Sequence, residues 1–195
     1  DTTAPGAPVI TAPVTGMMTN DNTPTVTGTA EANSVVGILE AGVLVSTVNA
    51  DANGAWSATL STLMDGSYAF TATATDAAGN TSVASTSVSI EVDTVAPEAP
   101  EITSPVTGTI TNDNTPTFAG TAEAGSTVEI FEGANSLGMV SANVNGNWSF
   151  TSSVLTDDLY MVTATATDDA NNTSGASLPV EMTVDTAIPT ISSVT

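Results

Sequence analysis

The chain has 195 residues, 21 of them aspartate or glutamate, with no lysine, arginine or histidine, so its formal net charge is −21. A surface of that sign repels nucleic acid and anionic lipid, and the residue set leaves no catalytic scheme except a two-carboxylate glycosidase, for which Asp157-Asp158 and Asp168-Asp169 are the obvious pairs. Cysteine is absent as well, which excludes a disulfide frame and thiol chemistry and leaves core burial or bound metal as the means of stabilisation.

Short alternating runs separated by turn signals follow in chain order, and they read as β-strands over 9–11, 23–30, 35–40, 43–49, 55–60, 68–75 and 82–92. The run 68–75 alternates best: Tyr68, Phe70, Ala72 and Ala74 are expected to face inward, and Thr71, Thr73 and Thr75 outward. Trp56 follows an Asn-Gly turn and is expected in the core, one per module, rather than on a glycan-stacking platform. The stretch from Leu63 to Tyr68 is similar to a tyrosine corner. Seven such strands predict a β-sandwich.

The pattern then repeats at an interval of 92 residues without insertion. Asp1–Gly16 reappears as Asp93–Gly108, TNDNTPT at 19–25 as 111–117, Trp56 as Trp148 and Tyr68 as Tyr160, and a further DTAIP begins at Asp185. The expected organisation is one sandwich over 1–92, a second over 93–184, and the start of a third repeat or a linker over 185–195. No apolar run approaches the ~18 residues of a membrane span. No signal peptide is visible and the chain begins at Asp1, as expected for a monomeric, extracellular piece of a longer protein.

If successive strands alternate in direction, the chain start and the loops after the second, fourth and sixth strands share one pole. That gathers Asp1, Glu31 and Asp76 in the first copy and Asp93, Glu123 and Asp168 in the second. Carboxylates crowded without cations repel one another, and a hard divalent ion resolves the repulsion. Ca²⁺ takes six to eight oxygens from irregular loops, Mg²⁺ wants a tighter octahedron, and Zn²⁺ would want His or Cys, so calcium is the expected cofactor. The opposite pole offers Asp21 and Asp65, then Asp113 and Asp157 beside Asp185. Asp169 is a further candidate. For Asp76 and Asp168 the competing reading is an Asx-turn at the strand end, and for Asp21 turn chemistry before Pro24 is the first reading.

Taken in order, DTxAPxAP, TNDNTPTxxGTAE, NGxW, LxDGxY and TATATDxAGNTS resemble the bacterial immunoglobulin-like repeats of giant surface adhesins, including biofilm-associated and repeats-in-toxin adhesins. The second copy departs by writing DDANN where the first has DAAGN. The resemblance implies an all-β chain of two seven-stranded immunoglobulin-like sandwiches. It implies an extender held straight by calcium at the junctions between neighbouring repeats, with ligands from the linker aspartate (Asp1, Asp93), the glutamate after the second strand (Glu31, Glu123) and the aspartate after the sixth (Asp76, Asp168). It also implies a role in cell adhesion and biofilm formation at the bacterial surface, on a parent anchored in the outer membrane. The other readings are a module that itself binds glycan or, through its threonine rows, ice, and last a carboxylate hydrolase.

Overall fold

The computed structural model describes residues 1–190, so the 191–195 end of the expected third repeat lies outside the described residues. It is all-β and divides into two compact units, Asp1–Thr94 and Val95–Thr195.

The first unit contains β1 (Val9–Ala12), β2 (Met17–Thr19), β3 (Thr25–Thr29), β4 (Val35–Glu40), β5 (Val43–Asn49), β6 (Ala55–Thr59), β7 (Gly66–Thr75) and β8 (Val88–Val92). They form a three-stranded sheet in the order β1-β3-β6 and a five-stranded sheet in the order β2-β8-β7-β4-β5. The second unit repeats this with β9 (Glu101–Ser104), β10 (Thr109–Thr111), β11 (Thr117–Thr121), β12 (Thr127–Glu132), β13 (Asn135–Ser141), β14 (Asn147–Thr151), β15 (Asp158–Thr167) and β16 (Val180–Val184), as β14-β11-β9 and β10-β16-β15-β12-β13. Each unit is thus an immunoglobulin-like sandwich of two sheets.

Alternation decides which face is buried. In β7, Phe70, Ala72 and Ala74 are buried, Tyr68 is half-buried, and Thr71, Thr73 and Thr75 stand on the other face. Trp56 and Trp148 lie in the cores at 4% and 3% exposure. The tyrosine corner forms in both units: the Tyr68 hydroxyl donates to the Met64 carbonyl, and that of Tyr160 to the Thr156 carbonyl, each at 2.9 Å.

Two strand expectations need correction. A second early strand, β2, pairs in parallel with β8, so each unit has eight strands rather than seven. The chain crosses from one sheet to the other between β1 and β2, through a cis Ala12–Pro13 peptide and a turn at Gly16 with φ 83°. The expected last strand over 82–92 is regular only from Val88. Before that, Ser82 and Ser85 donate their N–H groups to the carbonyls of Ala74 and Ala72, and their hydroxyls accept from the N–H groups of the same two alanines. Three residues on this segment span two on β7, so ordinary ladder pairing is out of step. The serine hydroxyl supplies the acceptor that the backbone misses. Ser174 and Ser177 repeat the device on Ala166 and Ala164.

Candidate metal centre

Within the first unit the loops associate by pole as strand alternation expects. Ala30 and Asn33, after β3, donate to the carbonyls of Gly54 and Asp51, after β5. The Asn80 side chain, after β7, donates to the Asp1 carbonyl at 3.4 Å. At the other pole Leu63 donates to Asn22, and Asp93 to Thr19.

Asp76 directly follows β7, and both of its carboxylate oxygens are engaged. Its Oδ1 accepts from the N–H groups of Ala78 and Asn80 at 2.9 and 2.8 Å, and its Oδ2 accepts from the Asn80 amide at 2.8 Å. Asp168 repeats the frame, with Asn172 donating from N–H and from its side chain, both at 2.8 Å. The Asx-turn is therefore formed at both positions. The Asn80 amide above all holds the Asp76 carboxyl below the usual aspartate range; desolvation, the next largest influence, opposes it, and the backbone donors of residues 78–80 add to the lowering.

A folded value below the unfolded ~3.9 means that this contribution to stability is complete above that pH and is lost as pH falls through the lower, folded value. Asn80→Ala will move the Asp76 titration, followed by carboxyl-carbon NMR, back up toward the ordinary range. It will leave Asp157 low, because Asp157 is held down by the hydroxyl and N–H of Thr186 instead. Unmoved titration of Asp76 in that variant would contradict the assignment.

Eight more candidates fall into four pairs. Asp21 and Asp113 form local turns, each Oδ1 accepting from the N–H and hydroxyl of Thr23 or Thr115. Asp65 and Asp157 reach instead to the outgoing chain: Asp65 accepts from Thr94 N–H and hydroxyl at 3.0 and 2.8 Å, and Asp157 from Thr186 at 3.0 and 2.7 Å. The start of each following linker is thereby pinned to the loop before β7 or β15. Asp1 caps the N–H of Thr3, and Asp185 that of Ala187. Glu31 and Glu123 bind through their carbonyls, to Ser34 and Ser126, which leaves their carboxylates to solvent.

Sequence reasoning missed three acidic residues of the second unit. Glu98 and Glu101 line one groove with Glu123, and Glu129 lines another with Asp168, Asp169 and Asn171. The signal lay in the comparison of copies, since Gly6, Val9 and Gly37 stand at the corresponding positions of the first unit.

Among the described residues no three acidic side chains come together closely enough to cage a metal ion. The donor chemistry nonetheless suits a hard cation, because only oxygen ligands are on offer. Asp76 and Asp168 keep an unused lone pair on Oδ2 beside an asparagine that fixes the carboxylate's direction. The fit is of oriented single carboxylates that an ion would gather, not of a preformed cage. Bound there, calcium would supply the positive charge that this chain lacks.

Comparison with known proteins agrees with the fold. A model of the bacterial Ig-like domain matches residues 13–94 and again 103–186. Bacillopeptidase F of Bacillus subtilis (strain 168) is 37% identical over 90 residues, which are 46% of this chain and 6% of that protein. Among solved structures, the fibronectin(III)-like modules of Clostridium thermocellum CbhA align over 91% of this chain and 93% of theirs, at 16% identity and a TM-score of 0.62. The BSP domain of a biofilm-associated protein aligns over 94% of this chain and 30% of its own, at 22% identity and a TM-score of 0.38. The chain belongs to the bacterial Ig-like domain family and carries two copies of that domain in tandem.

Proposed function

We propose that this chain is a non-catalytic extender segment of a large bacterial surface protein. Tandem copies hold an adhesive region away from the cell, and Ca²⁺ between successive repeats stiffens the string. The observation that carries the reading is repetition without cations. The carboxylates at the ends of β7 and β15, the aspartates that pin each outgoing linker, and the glutamates after β3 and β11 recur at one interval in a chain with no basic side chain. Selection for turnover would not require the same acidic set in every copy, whereas a repeating strut would. In this reading the parent lies outside the cell, anchored at the outer membrane, with adhesion and biofilm formation as its task and neighbouring repeats as the direct partners of this segment.

In this mechanism Asp93 from the linker, Glu123 and Asp168 would hold an ion, as Asp1, Glu31 and Asp76 would with a preceding repeat. Asp65 and Asp157, by holding Thr94 and Thr186, set the direction in which the linker leaves. At calcium about a hundred times the dissociation constant, each site adds ~2.7 kcal/mol to the folded, docked form.

The test is calcium titration by calorimetry together with small-angle scattering. Calcium will lengthen the maximum dimension relative to chelator, and Asp93→Ala will lose the associated heat and most of the lengthening. A maximum dimension unchanged by chelator, with no heat that depends on Asp93, removes the stiffening role. Soaks with oligosaccharides separate it from a glycan-binding module.

A further inference from the structure

An apolar groove of the first unit, about 130 Å³ in volume, is walled by Val45, Leu60, Leu63, Tyr68 and Phe70 and includes Glu40 in its lining. Its walls are set by the strands around it. Val45 is the extra residue of a β-bulge: Ile38 pairs with Ser46 and Leu39 with Leu44, so Val45 has no partner across the ladder. A bulge re-aims its extra side chain, here into the groove at the free edge of the five-stranded sheet. Tyr68 and Phe70 stack with ring centroids 6.1 Å apart and planes within 6° of parallel. The Tyr68 hydroxyl is committed to the Met64 carbonyl at 2.9 Å, which holds its ring in place.

Glu40 is the last residue of β4 and is half-buried, and its carboxylate has no partner among the described residues. Ser61 and Thr62 also line the groove, and their hydroxyls are likewise unpartnered among the described residues. The chain has no lysine, arginine or histidine, so any cation that meets Glu40 comes from another molecule. A bare metal ion gains nothing from apolar walls, and an uncharged apolar group gains nothing from the carboxylate. A cation on an aliphatic stem uses both. The volume falls below the ~300–1,000 Å³ of an ordinary small-molecule site, which suits one side chain. One carboxylate and two hydroxyls also match the three donors of an ammonium better than the flat five-donor fork of a guanidinium.

The second copy keeps the glutamate and the tyrosine, as Glu132 and Tyr160, but changes the walls. Leu137, Ser152 and Val162 stand where the first unit has Val45, Leu60 and Phe70. Phe150 replaces Ala58, and its ring lies against β13, since a methyl group on Gly138 would meet Phe150 Cε2 at 2.6 Å. These walls belong to the first copy, and the repeat pattern does not carry them.

We propose that the groove receives a lysine side chain of a partner protein. Its aliphatic stem lies against Val45, Leu60 and the Tyr68–Phe70 pair, and its ammonium meets Glu40. Val43, which faces Glu40 across the ladder, and Met64, next to Leu63, are exposed apolar side chains. They favour apolar residues on both sides of that lysine. The contact needs no calcium and does not depend on the extender reading.

The test is methyl NMR of the whole chain titrated with three blocked peptides, Val-Lys-Val, Val-norleucine-Val and Val-Arg-Val, at fixed ionic strength. The lysine peptide is expected to move the signals of Val45, Leu60 and Leu63 to saturation and to leave those of Leu137 and Leu155 in place. Norleucine keeps the stem without the charge and should bind about fivefold more weakly, the upper range for a partly exposed ion pair. Glu40→Gln should abolish that difference while the thermal transition stays where it was. Equal affinity of the lysine and norleucine peptides for the unaltered chain overturns the proposal. Equally strong binding at Leu137 and Leu155 does so too, and tighter binding of the arginine peptide overturns the choice of lysine. Shifts reproduced by tetramethylammonium chloride at the same concentration would show diffuse attraction to the charge of −21 and would also overturn it.

Discussion

Phe118→Val will lower the melting temperature of the second unit by about 10–20 °C, and adding Val162→Phe will recover at least half of that loss. The two cores solve one volume problem in opposite ways. In the first unit β3 contributes Val26 and β7 contributes Phe70, whereas in the second β11 contributes Phe118 and β15 contributes Val162. All four are at most 1% exposed. The large side chain has moved from the five-stranded sheet to the three-stranded one, and the total over these two positions has stayed the same.

Removing the phenyl group of Phe118 while keeping a valine costs ~2–3 kcal/mol as transfer plus cavity, and each kcal/mol in a domain of this size is about 4–8 °C. Val162→Phe alone overpacks and costs ~1–3 kcal/mol. Together they restore the arrangement of the first unit, so a coupling energy of ~2 kcal/mol or more is expected. Calorimetry of the whole chain, with hydrogen exchange at Val128 and Ala164 to locate the affected unit, reads the result. A double variant no more stable than the sum of the singles would show that the two positions do not share one space.

How far such facts could be read beforehand depends on the interval between the residues involved. Strands β4 and β5 have the bounds expected from alternation, because each is a run of six or seven residues closed by turn residues. The repeat and the buried tryptophans were equally legible. Three-residue β2 was not, since Met17, Met18 and Thr19 are too few to show a period, and their partner Ile90 lies far along the chain. The segment before β8 misled for another reason: its alternating Ser and Val residues imitate a strand, but the serine at every third position is bonding to β7.

The acidic positions divide in the same way. That Asp76 ends a strand is local information and was visible. That Asp65 holds Thr94, 29 residues further on, depends on where the outgoing chain passes, and spacing alone does not contain it. Glu98, Glu101 and Glu129, which line the two grooves, stand where the first copy has Gly6, Val9 and Gly37, and these differences become visible when the copies are set against each other residue by residue.

Gly120→Ala is the second change expected to be severe, with a loss of ~3 kcal/mol or more in the second unit. Gly28 and Gly120 belong to the repeated GTAE segment, and their backbone is ordinary, so they are required for space and not for conformation. A methyl group on Gly120 would be driven into the carbonyl oxygen of Glu101 and would meet Trp148 Cζ2 at 2.7 Å; on Gly28 the same group would meet the Val9 carbonyl and the Trp56 ring. The ring could shift. The carbonyl cannot without breaking the pairing of β9 with β11, in which Gly120 faces Ile102 and Thr121 faces Glu101.

Trp148→Phe should therefore fail to rescue Gly120→Ala, although it removes the atoms nearest the new methyl on one side. The tryptophan reports the damage directly. At 3% exposure its emission starts blue, and a β9 pushed off β11 lets water reach the indole, so a red shift below the melting transition is the expected signature. Glu101 is on β9 and shares its groove with Glu98 and Glu123. The same variant should thus weaken calcium binding by more than its loss of stability accounts for, if ions gather at that pole. A melting temperature within 3 °C of the parent would show that β9 yields to the methyl at little cost, and that the glycine–tryptophan contact does not fix the strand.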